Sequence, residues 1–209
     1  MIVDPNDVLS DWLREKKKEH EFRSPDVIYV TELVSCPLKR LYANKYPEIA
    51  DAELFSSVTL HGTLVHEAVL VLLQEKYSEM GYEVDREVEI EKQVLGYTIR
   101  GRIDLLIRDG EEVYVLELKN PKTRGQWPYE HNVDQVRIYM NIVGASRGVL
   151  MYVTHDGRAT YEVDTSMSDN ELECRVIETV SRKIAPRYSW ECRYCCYSHL
   201  CSKAVLRTS

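Results

Sequence analysis

The sequence has no apolar run long enough to cross a membrane. The longest such run, residues 64–73, is interrupted by His66 and Glu67 and is about half as long as the roughly 20 residues that a spanning helix needs. The N-terminal segment MIVDPNDVLSDWLREKKKEH has no apolar core of a secretory signal and soon becomes strongly charged. We therefore expect a cytoplasmic protein that does not associate with membranes.

Repeats, low-complexity tracts and long linkers are also missing, and basic residues are in the minority. The chain has 27 Lys and Arg against 34 Asp and Glu, a net charge of −7, which is poorly suited to coating nucleic acid. A metal-dependent nuclease is not excluded, because its site concentrates carboxylates. The basic clusters at 39–45, 119–124 and 182–187 each read alone as solvent-exposed faces. With 209 residues, 44% of them hydrophobic, we expect a single unit over 1–209 with one sizeable core.

Hydrophobic periodicity predicts a mixed α/β protein. Helices are predicted at 4–20, 59–80, 129–143 and 168–184, and strands at 82–92, 97–108, 112–119, 148–155 and 158–163. Asp-Gly pairs mark two hairpin turns, and Ser168 with Glu171 forms a capping box at the start of the last helix. The order of helix, three strands, helix, two strands and helix indicates a mixed sheet flanked by helices.

Two acidic residues and a lysine are predicted to share one face of the central hairpin. With a two-residue turn at 109–110, Asp104 faces Val115, and Glu117 and Lys119 lie on the same side of the sheet as Asp104. A four-residue turn would place Glu117 directly opposite Asp104 without changing the face. A turn of two residues and a turn of four residues therefore both predict that the three charged side chains lie on the same face of the sheet.

Two carboxylates and one ammonium on one face suit a hard divalent cation, which prefers oxygen ligands. Asp104 and Glu117 would bind Mg²⁺ or Mn²⁺, lowering the pKa of a bound water. Lys119 would orient or help deprotonate that water, or stabilise the transition state. Taken alone, Glu-x-Lys on a strand is more often a surface salt bridge. The presence of Asp104 on the same face, with no second base, favours the metal site here.

Three more residues are candidates for the same site. His66 lies on the helix before the sheet and would reach the metal, where imidazole favours Mn²⁺ over Mg²⁺. A lone helical histidine is nevertheless more often a core or surface residue. Gln135 and Tyr139 are one helical turn apart and share a face. Beside the hairpin, they would contact a DNA phosphate or Lys119.

The six cysteines indicate metal ligation, because disulfides are disfavoured in a reducing compartment. The C-terminal segment holds a closely spaced set: Cys192, Cys195, Cys196 and Cys201. Three thiols of a C-x2-C-x5-C pattern need a fourth ligand, for which Cys36 is the natural candidate and Cys196 or His199 the alternatives. Cys174 is expected to be a buried packing residue. Zinc and iron–sulfur clusters both accept four thiolates, so the spacing leaves this choice open.

The middle of the chain resembles the RecB-family nucleases. It carries, in their order, Gly-x3-His66, Gly-Arg-Ile-Asp104, Glu117-x-Lys119 and Gln135-x3-Tyr139. The resemblance implies a restriction-endonuclease-like core over 55–165, built on a mixed sheet flanked by helices. It also implies that His66, Asp104 and Glu117 are metal ligands and that Lys119 is the catalytic lysine.

Cys36 in Ser-Cys-Pro, followed by the C-terminal C-x2-C-x5-C, resembles the iron-staple arrangement of AddB-type nucleases and of the CRISPR-associated exonucleases of the fourth Cas family. The short chain, which has no helicase segment, is closer to the latter. This resemblance implies an iron–sulfur cluster, 4Fe–4S in preference to 2Fe–2S, in a lobe of residues 25–50 plus 185–209. The implied ligands are Cys36, Cys192, Cys195 and Cys201.

The resemblance further implies a metal-dependent exonuclease that acts on single-stranded DNA, with flap or endonuclease activity. Its implied setting is CRISPR spacer acquisition beside the integrase complex, and a homo-oligomer is compatible with it. Two alternatives remain at this point. One is a stand-alone RecB-like repair nuclease, and the other is a zinc-stapled DNA-binding module without catalysis.

Overall fold

The computed structural model of the chain describes residues 3–18, 24–54, 57–122 and 125–205. The helices are α1 (Pro5–Lys18), α2 (Val30–Leu33), α3 (Leu38–Lys45), α4 (Pro47–Leu54), α5 (Ser57–Glu79), α6 (Glu130–Val143) and α7 (Asp169–Ser181). The strands are β1 (Val27–Tyr29), β2 (Glu83–Val94), β3 (Tyr97–Asp109), β4 (Glu112–Lys119), β5 (Arg147–Thr154) and β6 (Gly157–Val163). The predicted mixed sheet with flanking helices is confirmed. Within the described ranges, no helix combines the length and the apolarity that crossing a bilayer requires.

One mixed sheet contains all six strands, and β3 is its centre. β2 pairs antiparallel along one edge of β3, while β1 and β4 share the other edge. β4 pairs in parallel with β5, and α6 provides the crossover that a parallel connection needs. β5 then pairs antiparallel with β6. The sequence predicts the five longer strands but misses β1, which has only three residues.

The β3–β4 hairpin has a different register from the one predicted. Val115 pairs with Leu106, so the prediction that it faces Asp104 is wrong. The turn begins at Gly110, whose φ of +61° suits the first position of a tight hairpin turn. Because the difference is two residues, the side chains keep their faces. Glu117 is thus brought next to Asp104, just beyond the last regular pair.

One edge of β3 is left open between β1 and β4. β1 covers residues 98–100 and β4 covers 105–109, so within the described ranges residues 101–104 have no strand partner on this edge. A side chain replaces the missing backbone pairing there, since the backbone N–H of Leu118 donates to Asp104 Oδ2 at 2.7 Å. This opening in the sheet is where the predicted acidic residues meet.

Helices cover both faces of the sheet and bring side chains to the opening from opposite sides. α2, α6 and α7 pack over one face, where Val30 and Tyr139 are fully or almost fully buried. α5 covers the other face through Leu70, which packs with Leu116 and Leu118. Leu116 and Leu118 therefore lie on the face away from α6.

Gly101 lies where β3 passes closest to α2 and α6. A Cβ at this position would be 2.7 Å from Tyr139 Cε1 and 2.9 Å from Val30 Cγ2, and both neighbours are buried. We expect Gly101→Ala to lower the free energy of unfolding by about 1–3 kcal/mol, the usual cost of overpacking. Denaturant unfolding followed by circular dichroism would measure it.

Gly62→Ala is the matched control for this substitution. Gly62 lies within α5, and a Cβ there would meet nothing within 4 Å. Alanine favours the helix over glycine, so this variant should be as stable as the wild type or slightly more stable. Equal stability of the Gly101 and Gly62 variants would contradict the close packing of Tyr139 against β3.

Candidate active site

The two predicted carboxylates lie on neighbouring strands and are both buried. Asp104 on β3 is 9% exposed and Glu117 on β4 is 4% exposed. Asp104 Oδ2 accepts from the Leu118 backbone, and His66 Nε2 lies 3.1 Å from the same oxygen. α5 supplies His66 from the opposite face of the sheet to α6. The histidine predicted from the sequence thus lies beside the first carboxylate.

Lys119 and Gln135 surround the second carboxylate. Lys119 Nζ lies 2.7 Å from Glu117 Oε1 and donates to Gln135 Oε1 at 2.8 Å. Gln135 Nε2 in turn donates to Glu117 Oε1 at 2.8 Å and to the Tyr139 hydroxyl at 3.1 Å. The amide of Gln135 therefore joins the acid, the lysine and the tyrosine in one network. All six residues predicted for this site are close together.

Burial and charge shift the pKa values in this network. Burial, followed by the charge of Asp104, raises the pKa of Glu117 to about 7. Burial alone would lower the pKa of Lys119, but the Glu117 carboxylate outweighs it and the pKa is raised. Burial alone would also lower the pKa of His66, but the hydrogen bond and charge of Asp104, together with the charges of Glu117 and Glu67, outweigh it and the pKa is raised. Lys119 is therefore an ammonium at neutral pH, and the two carboxylates repel each other.

The donor set fits a divalent cation. Two carboxylates and one imidazole are ligands that Mn²⁺ and Mg²⁺ accept. Glu117 Oε2 is buried and has no hydrogen-bond partner among the described residues, so an acceptor is left unsatisfied there. In this conformation Lys119 bonds Glu117 Oε1 and His66 bonds Asp104 Oδ2. No group of three His, Cys, Asp or Glu side chains in the described ranges is arranged to hold a metal ion. The fit rests on the donor types and on the unsatisfied oxygen.

Two further residues of α6 line the same cleft as Lys119, and sequence reasoning missed both. Asn132 donates to the Tyr152 hydroxyl at 2.8 Å and is buried. Burial, followed by the charge of Lys119, lowers the pKa of His131 to about 4, so this imidazole is neutral at pH 7. Both lie about one turn before Gln135. Residues three or four positions before Gln135 share its face of the helix, and this spacing could have identified both from the sequence.

The structure gathers the four predicted cluster ligands around one small space. An apolar cavity of about 30 Å³ is lined by a set that includes Cys36, Cys192, Cys195 and Cys201. Burial raises the pKa of the Cys36 and Cys195 thiols, and none of the six cysteines, all within the described ranges, forms a disulfide. The alternatives Cys196 and His199 do not line this cavity. Cys174 is exposed on α7, so its prediction as a buried packing residue is wrong.

A buried carboxylate that the sequence did not reveal joins the two ends of the chain. Glu191 accepts from the backbone N–H groups of Cys36 at 2.6 Å, Arg187 at 2.8 Å and Tyr188 at 3.0 Å. Arg187 adds a bond to the Ser35 carbonyl at 3.2 Å. Its side chain is 3% exposed, so the prediction of a solvated face is wrong at this position. We call this set of bonds the Glu191 clamp.

Comparisons with known proteins agree with this geometry. The PD-(D/E)XK nuclease superfamily matches residues 41–202. The chain is 31% identical over 199 residues to the CRISPR-associated exonuclease Cas4 of Saccharolobus solfataricus, covering 93% of this chain and 98% of that protein. The superfamily match takes in strands β2–β6, α5, α6 and the C-terminal cysteine segment, whereas β1 and Cys36 precede it.

Solved structures give the same answer. The crystal structure of SSO0001 superposes with a TM-score of 0.84 at 28% identity, covering 95% of this chain and 98% of that one. An alkaline exonuclease from Laribacter hongkongensis superposes with a TM-score of 0.50 at 13% identity, covering 83% of this chain and 90% of its own, which shows a shared fold. The chain belongs to the PD-(D/E)XK nuclease superfamily and, within it, to the family of the Cas4 exonucleases.

Proposed function

We propose that this chain is a divalent-metal-dependent exonuclease that acts on single-stranded DNA, with flap or endonuclease activity, in CRISPR spacer acquisition beside the integrase complex. The observation that carries the proposal is the buried network of Asp104, Glu117, Lys119 and Gln135 at the open edge of β3. The name of the S. solfataricus relative, a CRISPR-associated exonuclease, supports the reaction and its setting.

His66, Asp104 and Glu117 would hold the cation, Mn²⁺ or Mg²⁺. Bound there, it would lower the pKa of a water and neutralise charge on the scissile phosphate. Glu117 Oε2, buried and without a partner among the described residues, supports this assignment. The raised pKa of Glu117 supports it as well, since burial and the Asp104 charge outweigh the neighbouring positive charges and a bound cation would relieve that repulsion.

Lys119 supplies positive charge and hydrogen-bond donors at the reaction centre. Its ammonium is positioned by Glu117 at 2.7 Å and by Gln135 at 2.8 Å, with 26% of its side chain exposed to the cleft. From this position it orients the attacking water and stabilises negative charge that develops on the phosphate. Gln135 and Tyr139 are positioning residues, because Gln135 bonds both Lys119 and Glu117 and Tyr139 bonds Gln135.

We further propose an iron–sulfur cluster, 4Fe–4S rather than 2Fe–2S, on Cys36, Cys192, Cys195 and Cys201. The four thiols line one apolar cavity. Each thiolate of such a cluster binds a different iron, so the ligands are spread around the cluster rather than gathered on one ion. The cluster would join the same two segments as the Glu191 clamp, and its role would be structural.

The experiment that tests the proposed function is an assay on end-labelled single-stranded DNA. Protein purified without oxygen should degrade it with Mn²⁺ or Mg²⁺ and be inactive in EDTA. A matching duplex with blunt ends should be degraded more slowly. DNA binding without metal-dependent cleavage would favour a non-catalytic binding module instead. Repair without any CRISPR role would be favoured if the protein cleaves DNA but does not associate with the integrase.

Lys119→Arg should lower the cleavage rate by about 100-fold or more, the usual effect of removing one aligned donor to a developing charge. Arginine keeps the charge, but its planar group is wider than the ammonium held between Glu117 and Gln135. Single-turnover rates with saturating Mn²⁺ would measure the loss.

Lys92→Arg is the matched control, because Lys92 bonds Asp169 and Asn141 away from the site. It should cleave like the wild type. Should Lys119→Arg keep most of its activity, positive charge alone would be sufficient and the positioned ammonium would be unnecessary.

A further inference from the structure

One continuous cleft connects the catalytic network with the cysteine-bearing lobe. It has a volume of about 830 Å³, and its walls include Lys119 and Gln135 from the active site. Cys36 and Cys195 line the same space. A substrate strand in this cleft would therefore contact both parts of the molecule. The proposed catalytic residues account for only a small part of the cleft wall.

Three aromatic rings follow one another along the wall of this cleft. The centroids of His131 and Trp190 are 4.8 Å apart, and those of Trp190 and Tyr194 are 6.3 Å apart. Trp190 is 42% exposed and Tyr194 is 69% exposed, although burial of such large rings stabilises a fold. We call these three residues the aromatic ladder. It begins on α6, one turn before Gln135, and leads into the C-terminal segment.

Basic side chains line the same cleft, although the chain as a whole is acidic. Lys39, Arg40 and Arg182 are among the lining residues. The acidic residues Glu32 and Glu191 also line it, but Glu32 pairs with Arg40 at 3.5 Å and the Glu191 oxygens accept from backbone N–H groups of the clamp, which leaves Lys39 and Arg182 to meet a phosphate. In a chain with net charge −7, cations and exposed rings that line one cleft are the combination that binds a nucleic-acid strand through phosphates and bases.

We infer that the aromatic ladder stacks the unpaired bases of a DNA strand and leads that strand into the active site. Stacking on aromatic rings is available to every base, and it requires bases that are not paired in a duplex. Because its imidazole is neutral at pH 7, His131 offers a ring face rather than a positive charge. The inference rests on the proposed activity on single-stranded DNA and adds the residues that select unpaired strands.

Trp190→Leu tests the ladder, because leucine keeps apolar bulk but has no π face. Binding of a thymine oligonucleotide would be measured by fluorescence anisotropy in a Lys119→Ala background, so that the probe stays intact. We expect affinity to fall about tenfold, which is about 1.4 kcal/mol and within the range for one base–aromatic stack. Trp190→Phe should restore most of it. An abasic oligonucleotide of the same length should bind the Trp190→Leu variant and its parent equally.

Tyr82→Leu is the matched control, since Tyr82 packs on Tyr77 outside the cleft. It should bind the thymine oligonucleotide normally. Equal losses for thymine and abasic probes in Trp190→Leu would overturn the ladder, since the bases would then contribute nothing. Unchanged binding in Trp190→Leu, with normal cleavage by the wild type, would overturn the ladder and leave the proposed function standing. If the wild type neither binds nor cleaves the strand, the proposed function itself is wrong.

Discussion

Replacing Glu117 with glutamine should lower the rate of DNA cleavage by about 10³-fold while the protein stays folded. The amide has nearly the same size and keeps an oxygen for the Gln135 donor, which lies at 2.8 Å. It has no negative charge with which to hold a cation, and the cation supplies much of the charge stabilisation in such sites. Single-turnover cleavage with Mn²⁺ and a thermal melt of the same sample would measure both properties.

The same substitution should change how stability depends on pH in the metal-free protein. The pKa of Glu117 is raised from 4.5 to about 7, so the folded state holds a proton that the unfolded chain has lost. The free energy of unfolding therefore falls as pH rises from about 4.5 to 7, by on the order of 3 kcal/mol at most. Glu117→Gln should lack this contribution and gain stability relative to the wild type across that window.

Glu112→Gln is the control, because Glu112 is an exposed carboxylate at the other end of the same strand. It should cleave DNA like the wild type and show the wild-type pH profile. Cleavage by Glu117→Gln within a few-fold of the wild type would remove Glu117 from the proposed cation site.

Cys36→Ala should bleach the brown colour of an iron–sulfur protein and lower the melting temperature by on the order of 10 °C. A cluster shared by Cys36 and the C-terminal thiols would close a very long loop, and such closure restricts the unfolded chain by about 5 kcal/mol. Visible absorbance, iron analysis and thermal melts would measure these effects. Cys192→Ala, Cys195→Ala and Cys201→Ala should behave like Cys36→Ala.

Cys174→Ala is the control, because Cys174 is exposed and does not line the cavity that the four thiols share. It should keep both colour and stability, and so should Cys196→Ala. Bleaching in Cys196→Ala but not in Cys195→Ala would show that Cys196 is the ligand. A colourless wild type with one equivalent of zinc would exclude an iron–sulfur cluster. The proposal that a metal site joins the Cys36 segment to the C-terminal segment would still stand.

Local patterns in the sequence predicted the elements that form the site. Alternation and spacing placed Asp104, Glu117 and Lys119 on one hairpin, and the parity of the turn kept them together even though the register was wrong. The hairpin turn is placed by the positive φ of Gly110. The Asp-Gly pair predicted a turn here but put Gly110 second in it, whereas Gly110 is the first of the two turn residues. The sequence therefore predicted correctly which face of the sheet each side chain lies on, but not which residues of β3 and β4 pair across the strands.

Features that depend on distant contacts were not predictable. β1 has three residues and exists because β3 offers it an edge, which no local pattern signals. Glu191 reads in the sequence as an ordinary charged residue, and only the fold shows that three backbone N–H groups point at it. The aromatic ladder joins α6 to the C-terminal segment, and its contact between His131 and Trp190 links residues that are far apart in the sequence.

The Glu191 clamp also constrains how the chain is made. The clamp bond between Cys36 and Glu191 joins residues that are 155 positions apart in the sequence. A chain that leaves the ribosome N-terminus first therefore exposes Cys36 long before Glu191 has been synthesised. Strands β2–β6 and helices α3–α7 are synthesised in that interval, after β1 and α2, and are free to pair before residue 191 exists. The clamp therefore forms only after translation has passed residue 191. Chains released early would contain every side chain of the proposed active site but would leave the N–H of Cys36 without its carboxylate.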